Sequence, residues 1–226
     1  MTGGEQASDQ GCGLTWQDGV IPISDRFDDP YFSKQDGLAE TQHVFLGGND
    51  LPARLSPGFH IAELGFGTGL NLLATVMACP PDTPITYTSF EAFPLTTPDI
   101  ARALTAFPQA LAVADPFLAA WAQRLTRFDL GQIRVQVILG DARDTVPKWQ
   151  ALADAWFLDG FSPAKNPELW SAELMVDVAR HTAPKGTFAT YTAAGHVRRA
   201  LTEAGFDVIR SAGFGRKRHM TTGRLR

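Results

Sequence analysis

The chain has 226 residues, 44% hydrophobic and 19% charged, with a formal net charge of −4, which suits one sizeable core with an appendage and leaves no room for a second catalytic domain. No apolar run approaches the roughly 20 residues of a membrane span, and the N-terminus has neither a basic nor an apolar leader, so a cytoplasmic protein without a membrane partner is expected. Cys12 and Cys79 have no metal-ligand spacing, which argues against a disulfide framework and against a metal site.

In chain order, residues 1 to 13 are polar and glycine-rich and are expected to be disordered. Residues 15–24 read as a hairpin turned at Asp18-Gly19. Residues 25–33 combine aromatics with carboxylates, and Phe27, Tyr31 and Phe32 there suit either the edge of a core or the lining of a cleft. A helix is expected over 37–45, capped by Asp36 and ended by Gly47-Gly48-Asn49. Residues 1–56 thus form an N-terminal extension of hairpin and helix packed on the domain that follows, 57–226.

From residue 59 apolar strands alternate with helical stretches, the pattern of a mostly parallel sheet covered on both faces. Seven strands are predicted, at 59–64, 85–90, 133–139, 155–158, 187–191, 206–210 and 219–223. The insertion at 94–130, rich in Ala and Leu with four prolines, reads as two or three short helices. In such sheets ligands bind beyond the carboxyl ends of the strands.

Each of the first four strands ends on residues with a chemical use. After the first comes Gly65-Phe-Gly-Thr-Gly-Leu-Asn71, whose three alternating glycines allow close backbone approach, and a helix whose N-terminus welcomes a carboxylate. The G-x-G-x-G spacing differs from the G-x-G-x-x-G of dinucleotide enzymes, which disfavours a nicotinamide oxidoreductase. With Glu63, it resembles the first motif of the Rossmann-like class I methyltransferases that bind S-adenosylmethionine. Gly65, Phe66, Gly67, Thr68, Gly69 and Asn71 are therefore cofactor candidates, and Glu63 is placed to support the cofactor's amino-acid end or to serve the fold. Glu91, after the second strand, can accept from both ribose hydroxyls. Asp141 can accept from an adenine amino group while the Ala142 N–H serves a ring nitrogen. Asp159 follows the fourth strand.

Charge is distributed unevenly. From residue 180 to the end there are ten cations and two acids, a segment of +8 that leaves −12 for the rest. A polyanion-binding face and a solvated basic surface both fit such asymmetry. Arg216, Lys217 and Arg218 are the candidate phosphate ligands, with Lys165 a further one.

Taken together, Phe27-Asp-Asp-Pro-Tyr-Phe-Ser33, Thr41-Gln-His-Val-Phe-Leu-Gly-Gly-Asn49, Glu63-Leu-Gly-Phe-Gly-Thr-Gly-Leu-Asn71, Ser89-Phe-Glu-Ala-Phe-Pro-Leu95, Ala155-Trp-Phe-Leu-Asp-Gly-Phe-Ser-Pro-Ala-Lys-Asn-Pro167 and Gly213-Phe-Gly-Arg-Lys-Arg-His-Met220 resemble the methyltransferase domain of MnmC-type tRNA wobble-uridine modification enzymes. The likeness covers nearly the whole chain. It implies methyl transfer from S-adenosylmethionine to the exocyclic amine of 5-aminomethyl-2-thiouridine in the tRNA anticodon stem-loop. The FAD-dependent oxidase fused to this domain in many bacteria has no counterpart in these 226 residues, so the chain reads either as a stand-alone enzyme, a monomer with a separate FAD-dependent oxidase acting upstream, or as one domain of a bifunctional protein. Asp159 is then the catalytic candidate, acting on the amine and bordering the cofactor, and Tyr31 and Phe161 are candidates to stack on the uracil. A small-molecule amine N-methyltransferase, an aminopropyltransferase and a non-catalytic RNA-binding module are the competing readings.

Overall fold

A computed structural model describes residues 13–226. The disorder expected at the N-terminus, and Cys12, lie outside the described residues apart from Gly13. β1 (Leu14–Gln17), β2 (Ile21–Ser24) and β3 (Asp29–Pro30) form a small antiparallel sheet. Its first turn uses Asp18 and Gly19, both at positive φ (51° and 76°), the backbone region an Asp-Gly pair supplies at least strain. α1 (Gly37–Thr41) starts at Asp36, whose carboxylate accepts from Ala39 N at 2.9 Å. The expected single helix continues as a π-helical stretch, Gln42–Leu46, and a 3-10 turn, Gly47–Asn49. Gly48 lets that end lie flat on the main sheet, because a Cβ there would sit 2.7 Å from the Ala189 Cβ.

The main domain runs β4 (His60–Leu64), α2 (Leu70–Ala78), β5 (Ile85–Glu91), α3 (Thr97–Leu104), α4 (Pro108–Leu111), α5 (Asp115–Ala122), β6 (Arg127–Leu130), β7 (Ile133–Leu139), α6 (Ala142–Thr145), β8 (Ala153–Leu158), α7 (Ala172–Arg180), β9 (Thr182–Thr190), α8 (Gly195–Glu203), β10 (Phe206–Ala212) and β11 (His219–Leu225). These strands form one eight-stranded sheet in the order β10-β11-β9-β8-β4-β5-β7-β6. β9, β8, β4, β5 and β7 are mutually parallel, and β6, β10 and β11 join antiparallel.

The sheet thus has eight strands where seven were expected. The additional one, β6, lies inside the stretch 94–130 read as purely helical. Gly131, at φ 57°, and Gln132 reverse the chain so that Leu130 pairs with Ile133, and the strand forms against β7. At four residues on a sheet edge, β6 buries one side chain fully and carries little apolar signal of its own.

Both faces of the sheet are covered. Ile61, Tyr87, Val135 and Phe157 belong to one core with Leu72, Leu73, Ile100 and Phe117. Ala62, Leu64, Phe90 and Trp156 belong to a second with Trp149, Leu174, Val178 and Leu201. Alternation along β4 and β8 sends neighbouring residues into opposite cores. From β4 the chain moves outward to β5 and β7, then returns to add β8 and β9 on the other side. The connection therefore switches direction between β4 and β8, and a crevice opens beyond their carboxyl ends. Among the described residues, no helix is long and apolar enough to cross a membrane, and Cys79 is a buried free thiol.

Candidate active site

The turn after β4 holds Gly65, Gly67 and Gly69 at φ 82°, 52° and 74°. Such angles suit glycine, but the three residues do different work. A Cβ on Gly65 would lie 3.2 Å from the Asp159 carbonyl oxygen, so the loops after β4 and β8 touch there. A Cβ on Gly67 would face the Tyr31 ring at 3.3 Å across the crevice. Gly69 faces the core instead, where a Cβ would meet Phe117 at 2.8 Å. Gly67 N donates to Glu91 Oε2 at 2.9 Å, and Phe93 N donates to Glu91 Oε1 at 2.6 Å. Burial pushes the Glu91 carboxyl up, and these N–H donors act against that by stabilising the charged form.

Asp159 and Asn71 meet where the β8 end faces the start of α2. Asn71 Nδ2 donates to Asp159 Oδ2 and to Glu63 Oε1, each at 2.8 Å, while Thr41 Oγ1 donates to Asn71 Oδ1 at 2.9 Å. With donors and acceptor all committed, the amide has one orientation. Gly160 N donates to the other Asp159 oxygen at 2.8 Å. Asp159 lies part-buried in the crevice wall, and desolvation pushes its carboxyl up to about 6 against the two donors. Glu63, fully buried behind Asn71, is pushed well above the usual carboxylate range by desolvation.

The crevice is a cavity of about 670 Å³. Of the sequence-derived candidates, Gly65, Phe66, Gly67, Thr68, Asn71, Glu91, Asp141, Ala142 and Asp159 line it, as do Tyr31, Phe161, Lys165 and Lys217. Glu63, Gly69, Arg216 and Arg218 do not. Glu63 supports the wall through Asn71 rather than reaching the space, and Gly69 is spent on helix packing. Arg216 and Arg218 are exposed on the loop between β10 and β11.

Three candidates have partners the sequence did not reveal. Asp141 caps α6 by accepting from Arg143 N, and its carboxylate also pairs with the Arg143 guanidinium at 2.6 Å; that bond holds the Asp141 carboxyl below the usual range. Lys165 pairs with the Asp28 carboxylate at 2.8 Å and also donates to the Asp28 carbonyl, which ties it to the N-terminal extension. Lys217 pairs with Glu40. Phe161 stacks on Phe27 (4.7 Å between centroids) and meets Tyr31 edge-on (4.9 Å), so the aromatic segment before α1 lines the cleft.

Sequence reasoning missed Glu40, Thr41 and Tyr191. Tyr191 stands one residue beyond β9, the strand-end position that singled out Glu91 and Asp159, and could have been found by the same rule. Glu40 and Thr41 sit in a short helix of the extension, and no local pattern marks them.

A sheet with its switch point between β4 and β8, a glycine turn above it and a buried acid at the end of β5 define a Rossmann-like α/β protein of the nucleotide-binding class. Within that class the chain belongs to the S-adenosyl-L-methionine-dependent methyltransferases, the family whose model matches residues 108–226. It is 42% identical over 225 residues to the tRNA 5-methylaminomethyl-2-thiouridine biosynthesis bifunctional protein MnmC of Pseudomonas paraeruginosa, covering 93% of this chain and 34% of that one. The MnmC of Aeromonas hydrophila is 42% identical over 231 residues, covering 93% and 35%. The chain thus spans about a third of the length of the curated relatives it matches. The crystal structure of MNMC2 from Aquifex aeolicus superimposes with a TM-score of 0.77 at 26% identity, over 96% of this chain and 72% of that one. Spermidine synthase from Thermotoga maritima, with a TM-score of 0.53 at 10% identity over 94% of this chain and 71% of that one, shares the fold alone.

The residues present fit S-adenosylmethionine. Gly67 leaves bare backbone where a side chain would intrude on the crevice, and the Glu91 carboxylate at the β5 end borders the same cavity, oriented by backbone N–H groups. Thr68, Asn71, Asp141 and Ala142 border the same space.

Proposed function

We propose that the chain methylates the exocyclic amine of 5-aminomethyl-2-thiouridine at the tRNA wobble position, giving 5-methylaminomethyl-2-thiouridine. Two things support this: the relatives above carry that nucleoside in their names, and Asp159 faces a cavity walled by aromatics. The second is the observation that carries the chemistry. An aliphatic amine is largely protonated near neutral pH, and an ammonium has no lone pair with which to attack. The neutral amine, its ammonium proton already lost to solvent, is the species that attacks; Asp159, ionised above about 6, accepts a hydrogen bond from it, orients its lone pair and then takes the proton that the methylated nitrogen sheds. Bound S-adenosylmethionine supplies that methyl on an activated sulfonium.

Positioning carries much of the rate, and Asn71 and Gly160 hold the carboxylate at a defined angle for it. Phe161 and Tyr31 offer ring faces and edges for a uracil taken out of its stack. Arg216 and Arg218 supply exposed cations for anticodon phosphates. The acting unit is one copy of the methyltransferase fold, and an FAD-dependent oxidase activity frees the amine beforehand.

The test is mass spectrometry of wobble nucleosides after undermodified tRNA is incubated with the protein and S-adenosylmethionine. The aminomethyl nucleoside should gain the mass of one methylene group. If it is unchanged while a free small-molecule amine is methylated, tRNA is not the substrate.

A further inference from the structure

The three consecutive cations of the loop between β10 and β11 differ in what they meet. Arg216 and Arg218 lie outside the cavity, whereas Lys217 between them lines it. Lys217 Nζ lies 2.8 Å from Glu40 Oε1 and 4.2 Å from the centroid of the Tyr191 ring. The Glu40 side chain is only 11% exposed, so the ion pair is held at the protein wall rather than out in solvent. Tyr191 in turn donates its hydroxyl to the Gly160 carbonyl at 2.7 Å, one residue from Asp159. One tyrosine therefore joins the seat of the lysine to the loop that carries the catalytic candidate.

Resting on the proposed role of Asp159, we infer that Lys217, seated by Glu40 and Tyr191, is a positioning residue for methyl transfer that keeps the Asp159 carboxylate available as the acceptor for the substrate amine. Glu40 holds the lysine at the cavity mouth and so withdraws it from the phosphate-binding set. Of the titratable groups around the Asp159–Tyr191 wall, Glu63 on β4, Tyr87 on β5 and Tyr191 itself are all pushed up by burial. Asp29 on β3, Glu40 on α1 and Lys217 complete the set, and Lys217 is the basic residue of the three. Its charge favours the ionised form of Asp159, and that of Glu40 opposes it.

The two partners should therefore move Asp159 in opposite directions. The test is the pH profile of kcat on undermodified tRNA for wild type, Lys217→Met, Lys217→Arg and Glu40→Gln. Glu40→Gln should shift the acid limb to lower pH, and Lys217→Met should shift it to higher pH, the smaller of the two displacements. Lys217→Arg should restore the wild-type limb. Titration of the Asp159 carboxyl by carbon NMR reads the same shifts without turnover. Wild-type protein that fails to methylate the amine would thus defeat the functional reading while the NMR titration still decides this one. Coincident titrations in all four proteins overturn the inference. So does a Lys217→Met variant whose only change is a weaker, less salt-dependent grip on tRNA.

Discussion

A carboxyl that titrates at about 6 rather than 3.8, as Asp159 does, makes the folded state less stable wherever it is charged. Because its folded pKa is raised, the stability linked to its protonation is full below 3.8 and is lost as pH rises through about 6. Asp159→Asn keeps the shape and removes the charge, and its single amide oxygen accepts from Asn71 or from Gly160 N, so one of the two bonds is given up and offsets part of the gain. At pH 8 the variant should be more stable than wild type by at most about 3 kcal/mol, less where cavity water screens the charge, and the gain should shrink towards pH 4. Turnover should fall on the order of 10²- to 10⁴-fold, since proton acceptance and orientation go together. Thermal melts at the two pH values beside kcat measurements check both halves. A variant no more stable at pH 8 would mean that the carboxylate is not penalised by its site.

At the scale of the element, the loop between β10 and β11 divides its cations between two tasks. Read from sequence, Arg216, Lys217 and Arg218 formed one phosphate-binding trio. In the fold Lys217 belongs to Glu40 and Tyr191, which leaves two arginines. Replacing Arg216 and Arg218 by Ala should therefore flatten the salt dependence of tRNA binding by about 1.4, at roughly 0.7 per phosphate on a single strand, while cofactor affinity stays unchanged. Binding isotherms at several salt concentrations give that slope. A double variant with the wild-type slope would place the RNA-facing surface elsewhere. The glycine turn shows a similar division: Gly65 and Gly67 border the ligand space, and Gly69 exists for the close approach of α2 to Phe117.

Across the whole molecule, the net charge of −4 combines a +8 C-terminal segment with a −12 remainder, and part of that +8 is already committed. Arg180 pairs with Asp177, Arg226 donates to the Thr202 and Gly205 carbonyls, and Lys217 pairs with Glu40. The N-terminal extension closes one side of the cavity: Asp28 holds Lys165, and Asp29 accepts from Ser162 N at 2.8 Å. Ligand in that space touches the extension and the sheet at once and should stabilise the fold as a unit. S-adenosylmethionine at 100 times its Kd is expected to add about 2.7 kcal/mol, seen as one cooperative melt shifted upward. Two separate transitions, only one of them ligand-sensitive, would show that the extension melts independently.

Local sequence marked the run of parallel strands, the helix that follows the glycine turn, the cap at Asp36 and the strand-end positions of Glu91, Asp141 and Asp159. Each depends on neighbours a few positions away: apolar runs, glycines at positive φ, a carboxylate at a helix start. What long-range folding alone settled is that Asn71 ties Glu63 to Asp159 and that Lys217 faces Glu40. Asn71 meets Asp159 across 88 residues, and Lys217 reaches a helix near the other end of the chain. Such partners are chosen by strand order, which brings β8 beside β4 and folds the extension over both, and strand order leaves no local trace in the side chains it brings together.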